Sequence, residues 1–264
     1  MVRIRPVLRP LVVGNWKMNT SLEEAQGLTH SIVRALAPVS DVEVVVCPPF
    51  PWLTEVRKVV EGTNIKLGAQ NMHTEANGAY TGEVSPRMLK GLCQYVLVGQ
   101  YERRIYFSEK DAIVRRKVQV AQQNGLLPLL CVGENADQLD EGLGPYVVAE
   151  QLEANLEGAR LDDRLVVAYD PPWTTMGLVA PPPLAYVGEI VQHIRETLEM
   201  LFGKETAEQA RIIYGGSVNP RNIAEIVADA RIDGVLAGTA SVSADNFANL
   251  VKAFSARSSA ALSA

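Results

Sequence analysis

The chain has 264 residues, 47% hydrophobic and 21% charged, which suits one large barrel or two ordinary domains of a soluble protein. A formal net charge of −5 argues against a surface built for DNA, RNA or anionic membranes. No apolar run approaches the roughly 20 residues that cross a bilayer. Met1 to Pro10 carry Arg3, Arg5 and Arg9 without an apolar segment, and read as a basic lead-in to the first strand rather than a secretory signal.

Short β-branched runs alternate with longer amphipathic stretches along the whole chain. Strands are expected at 11–15, 42–47, 66–69, 95–99, 127–132, 165–170, 211–214 and 234–237. Most are continuously apolar, as in a parallel sheet buried on both faces. Helices are expected between them, at 21–37, 109–124, 145–157, 185–202 and 221–229. Ser21 followed by Glu24 fits a capping box, and Pro220 after Asn219 suits a first helical position. Eight strand-then-helix units without a composition break predict one domain over 1–264, a closed (β/α)8 barrel. The alternative, an open doubly wound sheet, lacks a Gly-x-Gly-x-x-Gly after its first strand. The Ala/Ser-rich tail from Ser255 is expected to fray.

Cys47, Cys93 and Cys131 form an odd set without metal-ligand spacing, and read as reduced thiols of a cytoplasmic protein. His30, His73 and His193 are scattered. Neither a metal nor a cofactor is called for.

In a barrel of this kind, reactive groups gather where strands end on the C-terminal face. The first strand ends in Gly14-Asn15-Trp16-Lys17-Met18-Asn19, which places a lysine and an asparagine where an anion and a carbonyl could meet them. Taken alone, Lys17 reads equally well as a surface lysine. The seventh strand ends in Tyr214-Gly215-Gly216-Ser217-Val218-Asn219-Pro220 and the eighth in Ala237-Gly238-Thr239-Ala240-Ser241. Small residues at both ends let backbone N–H groups face an anion, so Ser217, Gly238 and Thr239 are candidate phosphate-binding residues.

The runs Gly14 to Asn19, Tyr214 to Pro220 and Gly78-Ala79-Tyr80-Thr81-Gly82-Glu83-Val84-Ser85 resemble the triosephosphate isomerase family, and the resemblance extends over the chain, with Ala69-Gln70-Asn71 and Cys131-Val132-Gly133-Glu134 as structural matches. It implies a TIM barrel, a phosphorylated sugar as substrate, and Lys17 and Asn15 as substrate contacts. It also implies a homodimer in which the loop 78–85 inserts beside the neighbour's active site. The family's Gly-His-Ser-Glu-Arg-Arg is here Gly99-Gln100-Tyr101-Glu102-Arg103-Arg104. Its Tyr-Glu-Pro-Val-Trp-Ala-Ile-Gly-Thr-Gly is here Tyr169-Asp170-Pro171-Pro172-Trp173-Thr174-Thr175-Met176-Gly177-Leu178. The electrophilic histidine has become Gln100 and the base has become Asp170. Those two roles are what the resemblance implies, the family pairing a glutamate base with a neutral histidine.

Gln100 can donate an amide N–H to an oxygen but cannot shuttle a proton near neutral pH. Asp170 remains a base on an arm shorter by roughly 1 Å, a displacement that can cost on the order of 10²-fold in rate. Tyr101 reads either as a compensating proton donor or as a ring filling space. Glu102 is retained in the family pattern. Met176 stands where the lid's phosphate-contacting glycine would be, and Val179-Ala180-Pro181-Pro182-Pro183 replaces the usual second hinge, so the lid is expected to close differently. Three readings follow: an isomerase of a small phosphorylated sugar, with tetrulose phosphates as one class; a slow or rearranged triosephosphate isomerase; or a non-catalytic barrel that binds a phosphometabolite.

Overall fold

A computed structural model of the chain describes residues 8–160, 165–175 and 182–262. The strands are β1 (Leu11–Asn15), β2 (Glu43–Cys47), β3 (Ile65–Ala69), β4 (Tyr95–Val98), β5 (Leu127–Val132), β6 (Val166–Tyr169), β7 (Arg211–Tyr214) and β8 (Gly234–Ala237). The helices are α1 (Leu22–Leu36), α2 (Leu53–Val60), α3 (Pro86–Leu89), α4 (Tyr101–Tyr106), α5 (Asp111–Gln123), α6 (Ala136–Asp140), α7 (Gly144–Leu156), α8 (Pro172–Thr175), α9 (Leu184–Phe202), α10 (Lys204–Gln209), α11 (Ile223–Ala228) and α12 (Ala244–Leu262). Every strand pairs in parallel with its sequence neighbours, and β8 returns to β1 with Gly14 opposite Ala237, which closes the expected (β/α)8 barrel.

Side-chain alternation sorts the strand residues into two apolar layers. Leu11, Val13, Val45, Tyr95, Leu97, Leu129, Cys131, Val166, Ala168, Ile213 and Leu236 form one core inside the barrel. Val12, Val44, Val46, Val96, Val98, Val167 and Ile212 belong to the larger core under the helices. Both faces of each strand are thus buried, which is why the strands read as unbroken apolar runs. α1 shows how a helix joins them. Ser21 Oγ accepts the Glu24 N–H and Glu24 Oε2 accepts the Ser21 N–H at 2.7 Å, completing the expected capping box. Its buried residues Ala25, Thr29, Ile32 and Leu36 fall on one helical stripe.

Three local expectations are revised. Pro220 lies in a turn before α11 rather than at its first position. Asn219 Oδ1 takes the Arg221 N–H at 2.9 Å, an Asx-type turn that competes with helix start. The segment after Ser255 continues α12 to Leu262 instead of fraying, held by Ser255 Oγ on Asp41 and by Arg257 on the Ile232 carbonyl. The short α4 was not anticipated, because six residues are too few to display a period.

A polar cluster lies at the start of β2 and β7. Glu43 Oε1 accepts from Lys66 Nζ and from Tyr95 OH, each at 2.6 Å, and Oε2 accepts from Arg211 at 2.7 Å. Burial raises the Glu43 pKa, but Arg211 and the hydrogen bonds overcome it and hold the carboxyl at about 2, below its ordinary 4.5. A depressed folded pKa contributes stability that is present above 4.5 and is lost as pH falls through 2. Glu43→Ala leaves the Arg211 guanidinium buried without its carboxylate. It is expected to lower unfolding free energy near neutral pH by about 3–5 kcal/mol in urea denaturation.

Candidate active site

The alternation that fills the barrel also aims its upper rim. Along β1, Leu11 and Val13 point inward, so Asn15 is the next inward residue. Along β6, Val166 and Ala168 point inward, and Asp170 follows them. The same step gives Gly215 after Ile213 and Gly238 after Leu236. All four line one cavity of about 360 Å³, together with Lys17, Gln100, Ser217 and Thr239. Gln100 breaks the alternation because Gly99, at φ +76°, turns the chain through a conformation that favours glycine. Glycine is equally required opposite the base: a Cβ on Gly215 would stand 2.8–2.9 Å from the Asp170 carboxyl.

The carboxylate and amides form a directed chain. The Lys17 backbone N–H donates to Asn15 Oδ1 at 3.0 Å, and Asn15 Nδ2 donates to Gln100 Oε1 at 3.0 Å. Gln100 lines the same cavity as Asp170 and favours the charged form of its carboxyl. Asp170 is only 6% exposed, and its burial raises the pKa to about 7. Lys17 opposes that rise, Glu102 adds to it, and Gln100 lowers it. Burial pulls the Lys17 amine down, yet Glu102, which it pairs with directly, and Asp170 hold it above its ordinary value. The site therefore combines a fixed cation with a carboxyl poised near neutrality, the condition for a general base at physiological pH.

The two glycine-bearing loops meet across the same cavity. Gly215, Ser217, Val218 and Asn219 line it from the β7 side, and Gly238, Thr239 and Ala240 from the β8 side. A 3₁₀ turn over Thr239–Val242 begins there, and its first N–H groups have no partner within the turn, as at any helix start. A Cβ on Gly238 would lie 3.5 Å from Lys17 Cε, which brings the cation to this anion corner. Ser217, at φ 47°, also donates its hydroxyl to the Thr174 carbonyl, tying the β7 loop to the segment that follows Asp170. Below that segment, Glu134 Oε1 accepts from Tyr169 OH at 2.8 Å, Trp173 Nε1 at 3.3 Å and Tyr186 OH at 3.1 Å.

Most of the residues expected from sequence thus converge on one opening. Glu102 and Tyr101 sit one layer out: Glu102 pairs with Lys17, and the Lys17 amine lies 5.4 Å from the Tyr101 ring centroid. Neither is among the residues lining the cavity. Met176 and the lid residues 177–181 lie outside the described residues. Asn246, from the first turn of α12, lines the cavity and was not anticipated, since a lone asparagine on a helix carries no signal of its own.

The family model for triosephosphate isomerase matches residues 10–254. The chain belongs to the triosephosphate isomerase family. It is 45% identical to the triosephosphate isomerase of Carboxydothermus hydrogenoformans over 248 residues, covering 92% of this chain and 98% of that one. It is 41% identical to that of Dehalococcoides mccartyi over 242 residues, covering 92% and 95%. The crystal structure of triosephosphate isomerase from Bartonella henselae superposes with a TM-score of 0.86 at 35% identity, over 94% of this chain and 99% of that one.

Within this family's barrel, the chain places Gln100 and Asp170 in one cavity with the glycine-bearing loops after β7 and β8. The aspartate costs the fold stability. A carboxyl whose folded pKa, about 7, exceeds its ordinary 3.8 destabilises the native state above 3.8, and the cost grows until pH 7. Each pH unit of such a shift corresponds to about 1.4 kcal/mol. Asp170→Asn should therefore raise the thermal unfolding midpoint at pH 8 and leave it nearly unchanged at pH 4, as followed by circular dichroism.

Proposed function

We propose that the protein is an aldose–ketose isomerase of a small phosphorylated sugar, moving a proton between adjacent carbons through an enediolate. One observation carries this reading: a carboxyl poised near neutrality and an anion corner line the same cavity, with a lysine beside both. In this mechanism the phosphate rests on the N–H groups of the Ser217 and Gly238–Thr239 loops. Asp170 removes a proton from the carbon α to the carbonyl and returns it to the neighbouring carbon. Charge developing on the two oxygens is met by the Lys17 ammonium and the Gln100 N–H. Hydrogen is redistributed within one molecule, so no external oxidant or reductant is consumed.

The substitution at position 100 changes who carries the oxygen protons. A carboxamide donates a hydrogen bond without releasing its proton, so those transfers fall to Asp170 or to water. A three-carbon substrate is supported by the names carried by relatives 41–46% identical to this chain. A homodimer through the loop 78–85 is supported by the resemblance of that loop to the family's and by the exposed ring of Tyr80 within it. Three free, buried cysteines support a cytoplasmic location.

In a steady-state assay with glyceraldehyde 3-phosphate, Asp170→Asn should lower kcat/KM by about 10²- to 10⁴-fold. Gln100→His combined with Asp170→Glu should raise turnover above the native chain, and no gain would argue against an impaired proton path. Faster turnover of a four-carbon ketose phosphate would reassign the substrate. Turnover of neither would remove the enzymatic reading.

A further inference from the structure

The orientation of the Gln100 amide is decided far from Gln100. The two ends of a carboxamide differ only in what they donate or accept, so their partners determine which way each points. A backbone N–H can only donate. The Lys17 N–H, 3.0 Å from the Asn15 side chain, therefore turns the Asn15 oxygen toward itself and the Asn15 NH₂ away. That NH₂, 3.0 Å from Gln100, then requires the Gln100 oxygen to face β1. The remaining end of Gln100, its own NH₂, is left facing the cavity that Asp170 also lines, where a donor favours the charged form of that carboxyl. Reversing any one amide in this chain would set two donors or two acceptors against each other.

We propose that Asn15 is a positioning residue, whose carboxamide, oriented by the Lys17 backbone N–H, holds Gln100 with its NH₂ toward Asp170. The assignment rests on the isomerase reading above for its catalytic meaning, but not for its geometry. A free glutamine at the mouth could present its oxygen to the carboxyl, favouring the protonated acid and leaving no N–H for a developing oxyanion. The Asn15 link removes that state. Lys17 φ is +52°, so the backbone that supplies the deciding N–H sits in a conformation that few non-glycine residues adopt. Gln70 pins it there, donating to the Lys17 carbonyl at 2.8 Å and to the Cys47 carbonyl at 2.9 Å.

The groups that face Asp170 determine how the idea is tested. Lys17 and Glu102 act on it from β1 and α4, Gln100 from the end of β4, Cys131 from β5 and Tyr214 from β7. Burial pushes both the Cys131 thiol and the Tyr214 phenol up, so both stay neutral near pH 7. The decisive measurement is a ¹³C-detected titration of the Asp170 carboxyl in the free protein, assigned with Asp170→Asn. Gln100→Leu should move the titration upward by about one pH unit, the equivalent of a hydrogen bond to a charged group. Asn15→Leu should move it upward too, and the double variant should move it no further than Gln100→Leu alone. A residue serving only packing or direct substrate contact would not give that dependence. Where Asn15→Leu does not fold, Asn15→Ala replaces it in the same cycle. An unmoved titration in the Asn15 variant, or a shift that adds in full to that of Gln100→Leu, would overturn the assignment. Because the titration needs no turnover, an inactive native protein with the non-additive pattern would count against the isomerase reading alone.

Discussion

A carboxylate buried in the mouth of an apolar barrel is the constraint around which this site is arranged. Asp170 follows Val166 and Ala168 on the inward face of β6, so strand geometry delivers it to the cavity without further instruction. Admitting it there requires a neighbour without a side chain, and Gly215 is one inward step beyond Ile213 on the next strand. Keeping it ionisable near neutral pH requires compensation for lost water. Lys17 supplies a positive charge, and the Gln100 amide also favours the charged form. Glu102 works against both, and its pairing with Lys17 shows that the cation serves two carboxylates. The outcome is a base with little driving force wasted in either protonation state.

The rest of the mouth divides into fixed and connected parts. The loops after β7 and β8 reach the cavity with small residues, so what they offer a bound anion is chiefly backbone, whose direction the barrel sets. The proton-handling half is a chain of side chains, each depending on the one before it. The carboxamide at position 100 offers an oriented donor that does not exchange protons. On the isomerase reading proposed above, catalysis rests on the placement and acidity of one carboxyl. Glu134 contributes from beneath, gathering Tyr169, Trp173 and Tyr186 around a single oxygen and so joining the end of β6 to α8 and α9.

Much of this was legible before any coordinates. All eight strands lie within a residue or so of their expected positions, because burial on both faces leaves an apolar run bounded by polar turns. The capping box of α1 is a local signal and formed as written. That the loops after β7 and β8 would meet at one cavity was legible because both follow strands of one barrel at its C-terminal face. What stayed hidden depends on long-range contact. Asn15 and Gln100 are 85 positions apart, and their hydrogen bond has no trace in either neighbourhood. Tyr101 carried two readings from sequence, and its place beside the Lys17 amine came only from the fold. Asn246 reaches the cavity through barrel closure, which no local pattern encodes.

The central claim is that Asp170 exchanges a proton with the carbon next to a substrate carbonyl. Its most direct test follows deuterium from D₂O into dihydroxyacetone phosphate by proton NMR, with the native chain and Asp170→Asn at equal concentration near pH 7.5. The account predicts stereospecific incorporation at one carbon by the native chain and none above background by the variant. Equal incorporation by both proteins would contradict it.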